Sequence, residues 1–174
     1  MKSNAWSAAV FVVLLSAMPV LWCGCGGHGE MGITFGARDQ ISGLKRINNG
    51  DGNSVLTNAF GSPCRRLEER PETYLYLQVD PTFKKRAPMN VTVTVECLAA
   101  KSGSFDIQYD GGTADNPYTA SENTVTLVGS GEWQTETFDL SDARFQNRQN
   151  GRADFRLRVN CPEFYVRRVT VRRD

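Results

Sequence analysis

From about residue 54 onward, apolar and polar positions alternate with a period of two. Leu75, Leu77 and Val79 fall on one side of a strand, and Tyr74, Tyr76 and Gln78 on the other. Val91, Val93, Val95 and Cys97 alternate with Thr92, Thr94 and Glu96. Phe105, Ile107 and Tyr109 alternate with Asp106 and Gln108, and Phe155, Leu157 and Val159 with Arg156 and Arg158. Shorter runs at 54–60, 124–128, 133–140 and 164–171 behave alike. This period predicts strands with one buried and one wet face. Breaks fall at Pro81, Pro88, Ser102-Gly103, Gly111-Gly112, Gly129-Ser130-Gly131 and Asn150-Gly151. No stretch longer than about ten residues carries a helical period, although 140–145 has room for one helical turn. Eight such strands, antiparallel in character, predict an all-β, two-sheet antiparallel β-sandwich.

The N-terminal part reads differently. Residues 1–22 have the form of an export signal: Lys2, then an apolar run from Ala8 to Leu15 that continues to Trp22. The run is at the short limit for crossing a bilayer, no basic cluster follows it, and Pro19 sits near its end. A cleavable signal is therefore expected rather than an anchor. Residues 23–50 are expected to be a Gly-rich tether and lead-in, with 33–35 as a short first strand, and 51–174 the sandwich. Cys23 follows the apolar run directly, which resembles a bacterial lipoprotein signal. It implies lipidation at Cys23, or alternatively at Cys25. Trp22 departs from the small residue such signals place before the cysteine. The expected location is the bacterial cell envelope: a membrane-attached lipoprotein, otherwise a periplasmic or secreted protein.

Composition narrows the function. The chain has 174 residues, 40% of them hydrophobic and 22% charged, which is ordinary globular make-up. Lys plus Arg number 20 against 19 Asp plus Glu, so no basic excess points to nucleic acid. The single histidine, His28, lies beside the leader, which argues against Ser-His, Cys-His or multi-His metal sites in the domain. The spacing of Cys64, Cys97 and Cys161 is not that of zinc ligands.

The stretch Gly129-Ser130-Gly131-Glu132-Trp133-Gln134-Thr135-Glu136-Thr137-Phe138-Asp139-Leu140 resembles galactose-binding-like jelly rolls, a superfamily that includes many carbohydrate-binding modules. The resemblance extends through Asp142-Ala143-Arg144-Phe145, the polar loop 147–151 and 153–157, and covers roughly residues 50–174. It implies a strand order of 54–60, 164–171, 91–97 and 133–140 in one sheet. The other sheet is ordered 74–79, 153–159, 105–109 and 124–128. The open face of the second sheet would then carry Tyr74, Tyr76, Gln78, Asp106, Gln108, Asp154, Arg156 and Arg158. Flat rings stack on the apolar faces of sugars, while amides, carboxylates and guanidiniums bond their hydroxyls. The two arginines lean toward acidic sugars. The same face is also what any wet sheet surface looks like.

The resemblance brings further expectations. Modules of this fold often hold a structural calcium, for which Asp110 and Asp115 are the candidate ligands; no other cofactor is implied. The implied sheet order brings Cys97 and Cys161 near each other as a disulfide pair, with Cys64 the rival partner. Trp133 is expected to pack rather than to bind. The loop 147–151 either lines a binding edge or fixes itself by bonding backbone groups. The leading expectation is an exported, noncatalytic carbohydrate-binding module with a polysaccharide or glycan partner. The alternative is a structural or protein-interaction sandwich of the envelope. A lyase or glycosidase is the remote third reading, since no spacing singles out an acid and a nucleophile.

Overall fold

The computed structural model describes residues 29–68, 70–112 and 115–174. The leader, His28 and the lipidation candidates Cys23 and Cys25 lie outside the described residues. The described chain is a two-sheet antiparallel jelly roll. Its strands are β1 (Glu30–Thr34), β2 (Gln40–Ser42), β3 (Leu44–Ile47), β4 (Ser54–Ala59), β5 (Ser62–Leu67), β6 (Thr73–Val79) and β7 (Met89–Ala99). They continue as β8 (Ser102–Tyr109), β9 (Thr119–Ala120), β10 (Val125–Val128), β11 (Trp133–Ala143), β12 (Phe155–Asn160) and β13 (Phe164–Arg173). The first sheet runs β11-β7-β13-β1-β2, with β5 also on β13 and β4 on β5. The second runs β10-β8-β12-β6-β3, with β9 on β8.

The alternation places the core as expected. Leu75, Leu77, Val79, Val91, Val93, Val95, Ile107, Leu157 and Val159 have no exposed surface. Between the sheets, the Phe105 ring meets Phe138 at 5.3 Å and Phe164 at 5.0 Å. Tyr109 and Phe155 are also buried, and the Tyr109 hydroxyl donates to the Ser141 carbonyl at 2.7 Å. On β13 the inward phase shifts at a bulge between Val166 and Arg168, so Val166 and Val169 are both buried three residues apart.

Three features differ from the sequence expectation. Residues 30–47 are woven into the sandwich: β1 pairs with β13, and β3 pairs with β6. Ile33, Phe35 and Leu44 supply the buried side chains. Gly43 has φ +76, and a Cβ there would meet the Met31 sulfur at 2.1 Å, so glycine permits both the turn and the packing. Second, β5 stands between β4 and β13. The run 54–60 therefore does not neighbour the last strand. A two-residue turn at Phe60 (φ 50) and Gly61 (φ 77) folds β4 onto β5. The third concerns the cysteines. Cys64, Cys97 and Cys161 are buried free thiols, and the Cys97–Cys161 disulfide is not formed. Cys161 is drawn to β8, where it packs over Gly103 and donates to the Lys101 carbonyl at 3.3 Å. Cys97 lies on β7 beside Gln134. Burial pushes the Cys97 thiol up to about 12.

Candidate functional site

The second sheet brings the predicted site residues together in two cross-strand rows. Gln108 on β8, Arg156 on β12 and Tyr76 on β6 lie opposite one another, and so do Asp106, Arg158 and Tyr74. In the first row, Arg156 Nε donates to Gln108 Oε1 at 2.7 Å and Arg156 Nη1 to the Tyr76 hydroxyl at 2.6 Å. Its guanidinium lies 3.7 Å from the Tyr74 ring centroid and 4.3 Å from that of Tyr118. A cation between two ring faces is favoured by both quadrupoles. In the second row, Arg158 Nε donates to Asp106 Oδ1 at 3.0 Å and Arg158 Nη2 donates to Asp106 Oδ2. That ion pair raises the Arg158 pKa.

The face is more closed than the alternation suggests. Tyr76 points outward yet has no exposed surface. The turn at 49–52 lies over it: the Tyr76 hydroxyl donates to Asp51 Oδ2 at 3.1 Å, and a Cβ on Gly52 would stand 2.4 Å from the ring. Asn150 Nδ2 donates to the same hydroxyl at 3.3 Å. Tyr76 is therefore corrected from a stacking surface to a buried pillar. Asp106 is also buried, at 4% exposure, because Arg158 covers it. Gln78 spends its amide on the Arg152 carbonyl at 2.9 Å. Tyr74, Gln108, Tyr118, Arg156 and Arg158 remain half-buried. Burial first, then a hydrogen bond to Glu72, pushes the Tyr74 hydroxyl up to about 12.

Two buried carboxylates carry the loop above this face. At the end of β11, Asp142, and between β11 and β12, Phe145, Asn147 and Arg152, all have positive φ, a conformation that must be held from outside. Asp110 holds one end. Its carboxylate accepts from Arg148 Nε at 2.9 Å, Arg148 Nη2 at 2.6 Å and the Gln146 backbone N–H at 2.7 Å. Asp154 holds the other. It accepts from Lys84 Nζ at 2.7 Å, from the backbone N–H of Val79 at 2.8 Å and from that of Asn147 at 2.9 Å. Neither carboxylate has exposed surface, so Asp154 is not open on the outer face and Asp110 has no lone pair open to calcium. Asp115 is exposed. Among the described residues, no group of three or more His, Cys, Asp or Glu stands close enough to hold a metal ion.

The loop 147–151 fixes itself by bonding backbone groups, as one of the two expectations had it. Asn147 and Gln149 bond backbone carbonyls, the latter those of Gln108 at 3.0 Å and Pro117 at 2.7 Å. Asn150 reaches the tyrosines instead, and its backbone N–H donates to the Tyr118 hydroxyl at 3.0 Å. Sequence reasoning missed Tyr118. It precedes a two-residue strand and shows no alternation; its only signal was an aromatic in an otherwise polar loop. Trp133 is half-buried on the outer face of the first sheet, with Arg167 at 4.6 Å over its ring.

The chain matches no protein-family model and no curated protein. Its fold does match solved structures. The CBM22-1 xylan-binding domain of Paenibacillus barcinonensis Xyn10C aligns at TM-score 0.53 and 12% identity, over 83% of this chain and 95% of that one. A family 29 carbohydrate-binding module from Piromyces equi aligns at TM-score 0.48 and 10% identity, over 82% and 91%. A CBM35 from Paenibacillus barcinonensis aligns at 0.45 and 14%, over 75% and 92%. What the chain shares with the first of these is the two-sheet jelly-roll fold.

Proposed function

We propose that this chain is a noncatalytic glycan-contact module that works outside the cytoplasm. In this reading it is held to a bacterial membrane through lipidated Cys23, or alternatively Cys25. The fold supports the reading, since the structure it aligns with at TM-score 0.53 is a xylan-binding domain. A shared fold alone does not carry a function. The observation that carries it is the half-exposed stack of Tyr74, Arg156 and Tyr118, with the exposed amide of Asn150 at its rim. Two rings with a guanidinium between their faces offer their edges for apolar contact and an in-plane donor to one sugar unit.

The test is a glycan array on the full chain, with and without calcium, beside the Tyr74→Ala/Tyr118→Ala variant. Wild-type binding should weaken at least about tenfold in the variant, equivalent to about 1.4 kcal/mol, with thermal unfolding confirming a folded protein. Reducing ends should not accumulate from any bound polysaccharide; turnover would overturn the noncatalytic reading. Binding to no glycan at all would favour the second reading, a structural or protein-interaction sandwich of the envelope. The burial of Tyr76 under the 49–52 turn is the observation on that side.

A further inference from the structure

The first sheet holds a cleft of a different character on its outer side. One wall is the turn from β1 to β2. The Phe35 N–H donates to the Arg167 carbonyl at 2.8 Å, the Gly36 N–H donates to Asp39 Oδ1 at 3.4 Å, and Arg65 Nη2 donates to both Asp39 oxygens at 3.1 Å. The opposite wall is the start of β5, at Ser62 and Pro63. The volume between them is about 380 Å³, within the ordinary size range of small-ligand sites.

Charge sets the cleft apart. Arg38, Arg167 and Arg168 line it together with a single carboxylate, Glu96. The bulge in β13 brings two adjacent arginines to that carboxylate: Arg167 Nε lies 2.8 Å from Glu96 Oε2, and Arg168 Nη1 lies 3.8 Å from Oε1. Stacking on Trp133 further fixes Arg167. Arg38 is exposed and makes no ion pair among the described residues. Behind the wall, Arg46 and Arg65 share Asp39, so that carboxylate is already taken. Three guanidiniums thus face one anion, and guanidinium forks pair best with planar or multidentate oxyanions. Pro63 adds exposed apolar surface, and Gln40 and Ser62 add partners for sugar hydroxyls.

We infer that this cleft binds an anionic saccharide unit, a pyranose bearing a carboxylate or a sulfate. Arg38 and Arg168 take the anion, and the Pro63 side takes the ring. The site goes beyond the proposed glycan contact, because it lies on the other sheet and shares no residue with Tyr74, Tyr118 or Arg156.

The test is calorimetric titration of the full chain with trigalacturonate, a sulfated chondroitin disaccharide, cellotriose and sodium sulfate. At least one of the two acidic saccharides should bind; which one identifies the anion. Arg38→Ala and Arg168→Ala should each weaken that binding by about tenfold, and added salt should weaken it further. The Tyr74→Ala/Tyr118→Ala variant should leave it unchanged. Three results would each overturn the inference: no binding of either acidic saccharide, binding of cellotriose or sodium sulfate as tight, or binding that survives loss of both arginines. If acidic binding is lost in the tyrosine variant and retained in the arginine variants, this cleft is wrong while the tyrosine face stands.

Discussion

The outer faces of the two sheets are made from the same residue types and end in opposite states. On the second sheet, each cross-strand row closes on itself: Arg158 with Asp106, and Arg156 with Gln108 and Tyr76. On the first, two arginines gather at Glu96, a third lines the cleft beside it, and that cleft stays open. The difference lies in what crosses above the strands. The 49–52 turn and the 144–154 loop lie over the second sheet and consume its polar groups. Among the described residues, nothing comparable covers Arg38 or Arg168. A wet face in the sequence thus divides, in the folded chain, into polar groups spent on the fold and polar groups left exposed.

The sharpest way to break this comparison is to remove a carboxylate from each face. Asp154→Ala leaves the Lys84 ammonium unpaired and orphans the N–H groups of Val79 and Asn147. Breaking a buried pair from one side costs about 3–5 kcal/mol. The loop holding Asn147 and Arg152 at positive φ should loosen with it. Glu96→Gln removes the carboxylate of a half-exposed pair and should cost about 1 kcal/mol or less. Urea unfolding of the two variants measures both. Equal losses would mean that the second face is no more committed to the fold than the first.

A smaller effect isolates the cover itself. A Cβ on Gly52 would press into the Tyr76 ring at 2.4 Å, whereas one on Gly50 meets nothing within 4 Å. Gly52→Ala should destabilise by about 1–3 kcal/mol through overpacking, and Gly50→Ala should stay within about 0.5 kcal/mol of wild type. Two alanines two residues apart then report whether the turn rests on the tyrosine in solution.

Tyr74 and Tyr76 show how far the sequence could be read. Period two put both on the outer side of β6, which is correct, and the same logic found the core; the order of the second sheet came from the jelly-roll resemblance and also holds. Alternation is a local property. It cannot show that a turn 25 residues upstream covers one tyrosine and leaves the other half-exposed. β5 escaped for a related reason: Pro63 and the adjacent Arg65 and Arg66 break its alternation, and Cys64 and Leu67 alone mark its buried side. The Arg167–Arg168 pair was equally invisible, because it depends on a bulge. Contacts made by loops and irregularities decided the site, while regular strands decided the fold.

The smallest effect concerns Tyr74, where the closed face should leave a trace in the pH dependence of stability. Burial and the Glu72 hydrogen bond move its hydroxyl from 10.0 to about 12 in the folded chain. The unfolded phenol loses its proton near its ordinary value of about 10. The folded state therefore holds more protons between those values, and stability falls as pH rises through them. Whatever Tyr74 contributes is whole below about pH 10 and gone above about pH 12. Tyr76, Tyr109 and the three buried thiols are pushed up too, so the wild-type slope is shared among all of these groups. Tyr74→Phe separates them: urea unfolding repeated across the alkaline range should give a shallower fall than wild type. Identical slopes would mean that the ring next to Arg156 is as solvated as an unfolded one, leaving the second face as open to a ligand as the arginine cleft of the first.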